Sequence, residues 1–197
     1  SDLRTVQNVV ESALSQVANH PVRVFCSGRT DSGVHAIEQV IHFETETIRT
    51  DRAWLFGGNV NLPSDVNFKW VKLVSDDFHA RFSAFARSYK YKIHHNPVRS
   101  SLKADYSLWE PRPLNVDDMK AAAALLIGEH DFSCFRGSLC QAKSPIKTIE
   151  YIDIKSFEDE LILDIKANAF LHHMVRNMVG TLLKIGRGEK NVEWMSS

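Results

Sequence analysis

The sequence predicts an α+β protein with a largely antiparallel sheet, arranged as two similar halves side by side. Three observations lead there. Apolar residues recur at helical spacing near the start, early in the second half and near the end. Arg87–His95 alternates, with Tyr89, Tyr91 and Ile93 on one face and Ser88, Lys90, Lys92 and His94 on the other. Thr148–Lys155 and Leu161–Ala167 flank an acidic turn, Phe157-Glu158-Asp159-Glu160, as hairpin strands do. With 197 residues, 44% of them apolar and 24% charged, the chain is long enough for a substantial core and has a globular composition.

The elements follow in order. Val6, Val9, Val10, Ala13, Leu14 and Val17 mark a helix, capped by Thr5 and ended before Pro21. Val22–Cys26 and Ile37–Thr45 read as strands, with a short helix around Ala53–Gly57 and a third strand over Val66–Val74. After the Arg87–His95 strand, Asn96–Trp109 reads as a long connection. The chain therefore divides into an N-terminal half, 1–100, and a C-terminal half, 101–197. Asn115 caps a helix that carries Val116, Met119, Ala122, Ala123, Leu126 and Ile127 and stops at Gly128. The hairpin follows, and then a long helix over Phe170–Ile185.

Composition excludes some classes. No window approaches the roughly 18 apolar residues of a membrane helix, and the first residues carry no secretory pattern, so a cytoplasmic location is expected. Three cysteines at these spacings suggest neither a disulfide framework nor a zinc site. Net charge is zero. Its distribution is uneven: His79–Lys103 holds six Lys or Arg and no acid, and Ile165–Gly188 holds four and no acid. Such stretches form one basic face, or they cluster by chance on a solvated surface.

Four places could carry chemistry. In the loop FCSGRTDSGVHA, glycines flank Thr30-Asp31-Ser32, so Asp31 is either a turn former or a presented carboxylate. The loop lacks the Gly-Lys-Ser/Thr ending of a phosphate-binding P-loop. Arg87-Ser88-Tyr89-Lys90-Tyr91-Lys92 interleaves rings for stacking on bases with cations for phosphate, or else is a half-buried edge strand. The last helix is apolar nearly all round, which argues burial, yet His172, Arg176, Gly180 and Lys184 form one stripe. On a buried helix, Arg176 needs an anion, from any nearby carboxylate or from a catalytic acid or phosphate. His172 and His173, adjacent on a helix, diverge by about 100°, which is poor geometry for sharing a metal.

These pieces together resemble one family. GRTDSGVHA (Gly28–Ala36), FHARFSAFARSYKYKI (Phe78–Ile93) and FLHHMVRNMVGTLLKIGRG (Phe170–Gly188) are similar, in order, to the three motifs of the tRNA pseudouridine synthase A family. NLPSDV, DFSCFR and DIKANAF fit as well. The resemblance implies an isomerase that converts uridine to pseudouridine at positions 38 to 40 of the tRNA anticodon arm, with no cofactor and no metal. It implies a homodimer, and two similar halves sharing one continuous sheet with a basic active-site cleft between them. Asp31 matches the catalytic aspartate, Tyr89 the tyrosine against the target base, and Arg176 the arginine paired with the aspartate. Arg29 matches an RNA-contacting arginine; Arg87, Lys90, Lys92 and His172 are expected to bind substrate.

The family pattern also includes a strand before the first helix and another beyond the third motif. The halves are therefore expected to be incomplete at both ends. A catalytically silent RNA-binding module of the same fold is the alternative. A nucleic-acid glycosidase would want a second carboxylate, and none stands in the motifs.

Overall fold

The computed structural model describes residues 4–196. The chain forms two compact units, one running to Ala84 and the other beginning at Phe85. The strand Arg87–His95, assigned from sequence to the half 1–100, lies in the second unit.

The first unit contains α1 (Val6–Ala18), β1 (Val24–Cys26), β2 (Ile41–Phe43) and α2 (Asp51–Asn61). The Thr5 hydroxyl accepts the Asn8 N–H at 3.1 Å and starts α1. Asn19 ends it in the left-handed region, donating its N–H to the Ser15 carbonyl. Thr50 caps α2 in the same way, through Ala53 N–H at 3.2 Å. Val10, Leu14 and Ala18 of α1 pack with Val22, Val24 and Trp54 in a small core. The antiparallel pair β1–β2 sets Val24 opposite Phe43 and Cys26 opposite Ile41.

The strand expected over Val66–Val74 is not formed. The side-chain amide of Asn59, on α2, has taken the place of a strand partner. It accepts the Phe68 N–H at 2.7 Å and donates to the Phe68 carbonyl at 3.0 Å. Phe68, within the stretch, thus satisfies its backbone on a helix side chain, not on a ladder.

The second unit is a five-stranded sheet carrying two helices: β3 (Arg87–His95), β4 (Leu108–Glu110), α3 (Val116–Ala124), β5 (Gly128–Asp131), β6 (Ile146–Phe157), β7 (Glu160–Ala167) and α4 (Met174–Gly186). The order is β4-β3-β7-β6-β5, antiparallel except for the parallel β3–β4 pair. Leu161, Leu163, Ile165 and Ala167 of β7 alternate into the core. They meet Met174, Met178, Leu182 and Ile185 of α4, with Met119, Ala122 and Ala123 of α3 in the same core. The β6–β7 hairpin turns at Glu158, in the left-handed region.

Three helices differ from expectation: α2 extends over Asp51–Asn61, beyond Ala53–Gly57 at both ends. α3 ends at Ala124 because Leu125, Leu126 and Ile127 turn their N–H groups back to Ala122, Ala123 and Ala124, three residues away, which tightens and stops the helix. α4 begins at Met174, four residues later than expected. β4 and β5 carry too few alternating residues to read from sequence. Among the described residues no helix is long and apolar enough to cross a membrane.

One ion cluster has a buried centre, Glu110 and Arg187, with Arg112 and Glu189 at its exposed rim. The Glu110 side chain, at the end of β4, is only 5% exposed and accepts from Arg187 at 3.1 Å and Arg112 at 2.8 Å. Arg187, just past α4, is 14% exposed and also meets Glu189 at 3.0 Å. Removing one member of a buried pair leaves a charge in low dielectric, which costs about 3–5 kcal/mol. Glu110→Ala should lower unfolding free energy by about 1–3 kcal/mol in a denaturant titration, less than that range because Arg187 keeps Glu189; a loss within about 0.5 kcal/mol would show that the cluster does not hold β4 to the end of α4.

Candidate active site

Asp31 lies on the loop between β1 and β2. Past Cys26 the ladder continues for one residue, Ser27 N–H donating to Val40 O at 2.9 Å. Gln39 then spans the loop base, accepting from Ser27 Oγ and donating to Gly28 O, both at 2.6 Å. Asp31 opens a four-residue turn, its carbonyl accepting the Val34 N–H at 3.1 Å. Gly33, third in that turn, takes φ +80°, which a residue with a Cβ enters only with strain. Asp31 is half-buried and Arg29 exposed. A short ladder, one amide bridge and a glycine turn thus fix the carboxylate-bearing backbone.

The segment 78–83, from the second motif, is held in this unit by histidines. His42, on β2, stacks on Phe25 with centroids 5.0 Å apart, and His79 lies 4.5 Å from it. His42 Nδ1 accepts the Ala80 N–H at 3.1 Å, and His79 Nδ1 accepts from Arg81 and Phe82. Burial lowers the His42 pKa from 6.5, the neighbouring His79 adds to this, and Glu44 opposes it.

In the second unit, β3 runs antiparallel to β7, with Arg87 opposite Ala167, Tyr89 opposite Ile165 and Lys90 opposite Asp164. Arg87 and Tyr89 therefore share the core-side face. The Tyr89 ring meets Phe170 edge-on at 5.0 Å, and Arg87 donates to the Asn168 carbonyl at 3.3 Å. Strand alternation places Lys90 and Lys92 on the opposite face. There they meet acids of β7, Lys90 with Asp164 at 3.7 Å and Lys92 with Glu160 at 3.9 Å. The stretch that is acid-free along the chain is thus flanked by acids across the sheet. Both lysines are largely exposed, so these pairs are worth under about 1 kcal/mol and yield readily to a polyanion.

The entry to α4 departs from the sequence expectation. Phe170–His173 is not helical, and His173 sits at φ +61°. The cause is tertiary. In a helix the His172 carbonyl would accept from Arg176 N–H; here it accepts Gly137 N–H at 2.8 Å. The His172 N–H donates to Cys140 Sγ at 3.4 Å. The two imidazoles therefore do not diverge: they stack, with centroids 3.7 Å apart and planes 26° from parallel.

α4 also is not buried all round. It covers one face of the sheet, so Arg176, Asn177, Gly180 and Lys184 are exposed while Met178, Val179, Leu182 and Leu183 are buried. Gly137, Cys140, His173, Phe170 and Asn168 were not singled out from sequence as site residues. Asn168 and Phe170 fall in the DIKANAF block and Phe170 and His173 in the third motif, while Gly137 and Cys140 lie outside every motif. Burial raises the Cys140 thiol, but the N–H groups of Ala142 and His172 and the Arg136 guanidinium outweigh it and hold the thiol below its usual value.

The chain's likeness to known proteins gives first the class, an RNA-modifying isomerase. A family model described as tRNA pseudouridine synthase matches residues 1–83 and 122–197. The tRNA pseudouridine synthase A of Hydrogenovibrio crunogenus is 52% identical over 192 residues, covering 98% of this chain and 73% of that protein. Proteins of the same name from Coxiella burnetii and Methylococcus capsulatus are each 50% identical over 98% of this chain, covering 74% and 71% of their own lengths. The chain belongs to the tRNA pseudouridine synthase family.

The histidine contacts carry a pH prediction. A base whose folded pKa is depressed contributes stability that is present above its unfolded pKa and lost as pH falls through the folded value. Wild-type stability should therefore decline as pH drops below 6.5, because there His42 takes up a proton in the unfolded chain before it does in the fold, where its neutral Nδ1 accepts the Ala80 N–H. His42→Gln should flatten that part of a pH-dependent thermal melt, and an identical slope in the two proteins would refute it.

Proposed function

We propose that the chain isomerises uridine to pseudouridine at positions 38 to 40 of the tRNA anticodon arm, with Asp31 as nucleophile. The observation that carries this is the loop Gly28–Ala36, matched to the family's first motif. It offers one half-buried carboxylate at the head of a turn pinned by Gln39 and Gly33.

The chemistry needs few groups. The N1–C1′ bond breaks, the base turns, and C5 joins C1′. N1 gains a proton and C5 loses one, so substrate and product are isomers with no net oxidation or hydrolysis. A carboxylate adds to C6 of the base or to C1′ of the ribose, forming a covalent intermediate. The base must leave its stack, and Tyr89, braced edge-on by Phe170, is the platform it meets. Arg176, on the exposed stripe of α4, is the guanidinium that the family's third motif pairs with the aspartate. Arg29, Arg87 and His172 contact the RNA beside the turned-out nucleotide, and Lys90 and Lys92 contact phosphates through their own sheet face. On this reading the protein works in the cytoplasm as a homodimer.

Tritium release from tRNA carrying [5-³H]uridine tests the assignment. Asp31→Asn should release at least roughly 10³-fold more slowly than wild type, while tRNA affinity by filter binding stays within about threefold. Equal release by the two proteins would remove Asp31 from the mechanism; equal binding with no release by either would identify an RNA-binding module. Tyr89→Phe, which keeps the ring, should keep tRNA affinity. A collapse of binding there would assign Tyr89 a role other than stacking.

A further inference from the structure

The turn Gly137–Cys140 holds both backbone polar groups of His172. Gly137 N–H donates to the His172 carbonyl at 2.8 Å, and Cys140 Sγ accepts the His172 N–H at 3.4 Å. The turn is closed on itself by Cys140 N–H to Gly137 O at 3.0 Å. Arg136 braces it from outside, donating to the carbonyls of Cys140 and Ala142 at 2.8 and 2.9 Å. A second tie lies one turn into α4, where the Asn177 amide donates to Phe135 O at 2.9 Å. Arg176 sits between these two ties.

Glycine is required at 137 by space, since its φ lies outside the left-handed region. A Cβ there would stand 2.8 Å from His172 Nδ1, 3.0 Å from the His172 carbonyl oxygen and 3.3 Å from His173 Nδ1. Restoring ordinary contact, at 3.4 Å or more, would push the His172 backbone or the turn aside by about half an ångström. The first α4 hydrogen bond, Asn177 N–H to His173 O at 3.0 Å, starts from that backbone. A displacement at His172 therefore reaches Arg176 and the stacked imidazoles together.

We infer that Gly137 and Cys140 are positioning residues for the reaction: the turn they form seats the His172 backbone and thereby sets where His172 and Arg176 stand in the active site. The inference rests on the reading above that those two residues serve the chemistry. Misplacement of about 1 Å costs on the order of 10²-fold in rate, so a shift half that size falls mainly on the chemical step, not on tRNA binding.

Gly137→Ala in the whole protein should lower kcat for tritium release roughly tenfold to a hundredfold, per folded molecule, with KM for tRNA within about threefold. Its His172 and His173 ring signals in NMR should shift. Cys140→Ala should lower kcat too, and Cys140→Ser, which restores an acceptor for the His172 N–H, should recover most of it. Leu139→Ala, exposed in the same turn, should match wild type. A lower melting temperature with unchanged kcat per folded molecule, or no recovery by Cys140→Ser over Cys140→Ala, would overturn the inference. If Asp31→Asn keeps full activity, the functional reading fails by itself. The seat then stands or falls on the ring signals, and unshifted signals in Gly137→Ala would refute it.

Discussion

The antiparallel register of β3 on β7 is the constraint from which much of the second unit follows. Side chains alternate with period two, so a slip of one residue would turn Tyr89 and Arg87 to the lysine face and bring Lys90 into the core. Ile93, buried opposite Leu161, fixes the register by its own burial. β7 then runs directly into Asn168 and Phe170, the residues that receive Arg87 and Tyr89. One set of apolar contacts thus decides the strand pairing and the surroundings of the proposed base platform.

Polar contacts then place what the sheet alone leaves open. α4 lies on the sheet through its buried methionines and leucines, a contact that is strong but weakly directional. Its two ends are set by hydrogen bonds: at the start the Gly137–Cys140 turn on His172, and at the end the buried Glu110 with Arg187. Hydrophobic burial supplies the larger share of stability in such a unit, while the few buried polar partners select one arrangement among similarly packed ones. In the first unit Gln39 and the histidines do comparable work, fixing a loop and a segment that have little apolar surface of their own.

Local sequence was legible wherever a periodic pattern and a terminator coincided. Thr5 and Asn115 announced helix starts, and each side chain accepts the expected backbone N–H. Strand Arg87–His95 and the hairpin around Glu158 followed from alternation. The misses share a cause. Val66–Val74 alternates, yet Asn59 occupied the backbone of Phe68; Phe170–His173 fits a helix, yet Gly137 took the carbonyl that the helix needed. A short edge strand such as β4 exists only because β3 offers it a partner.

By itself the sequence determined the family, since three motifs in order name it, and the residue types its chemistry requires: one carboxylate, one ring and one guanidinium. It also determined most helices and the main hairpin, because their signals lie within a few residues of each other. Tertiary structure alone decided that Lys90 and Lys92 lie beside acids, that α4 starts at Met174, and that His172 and His173 stack. Each of these depends on a partner tens of residues away along the chain, such as Gly137 for His172 or Asp164 for Lys90, so no local spacing could disclose it.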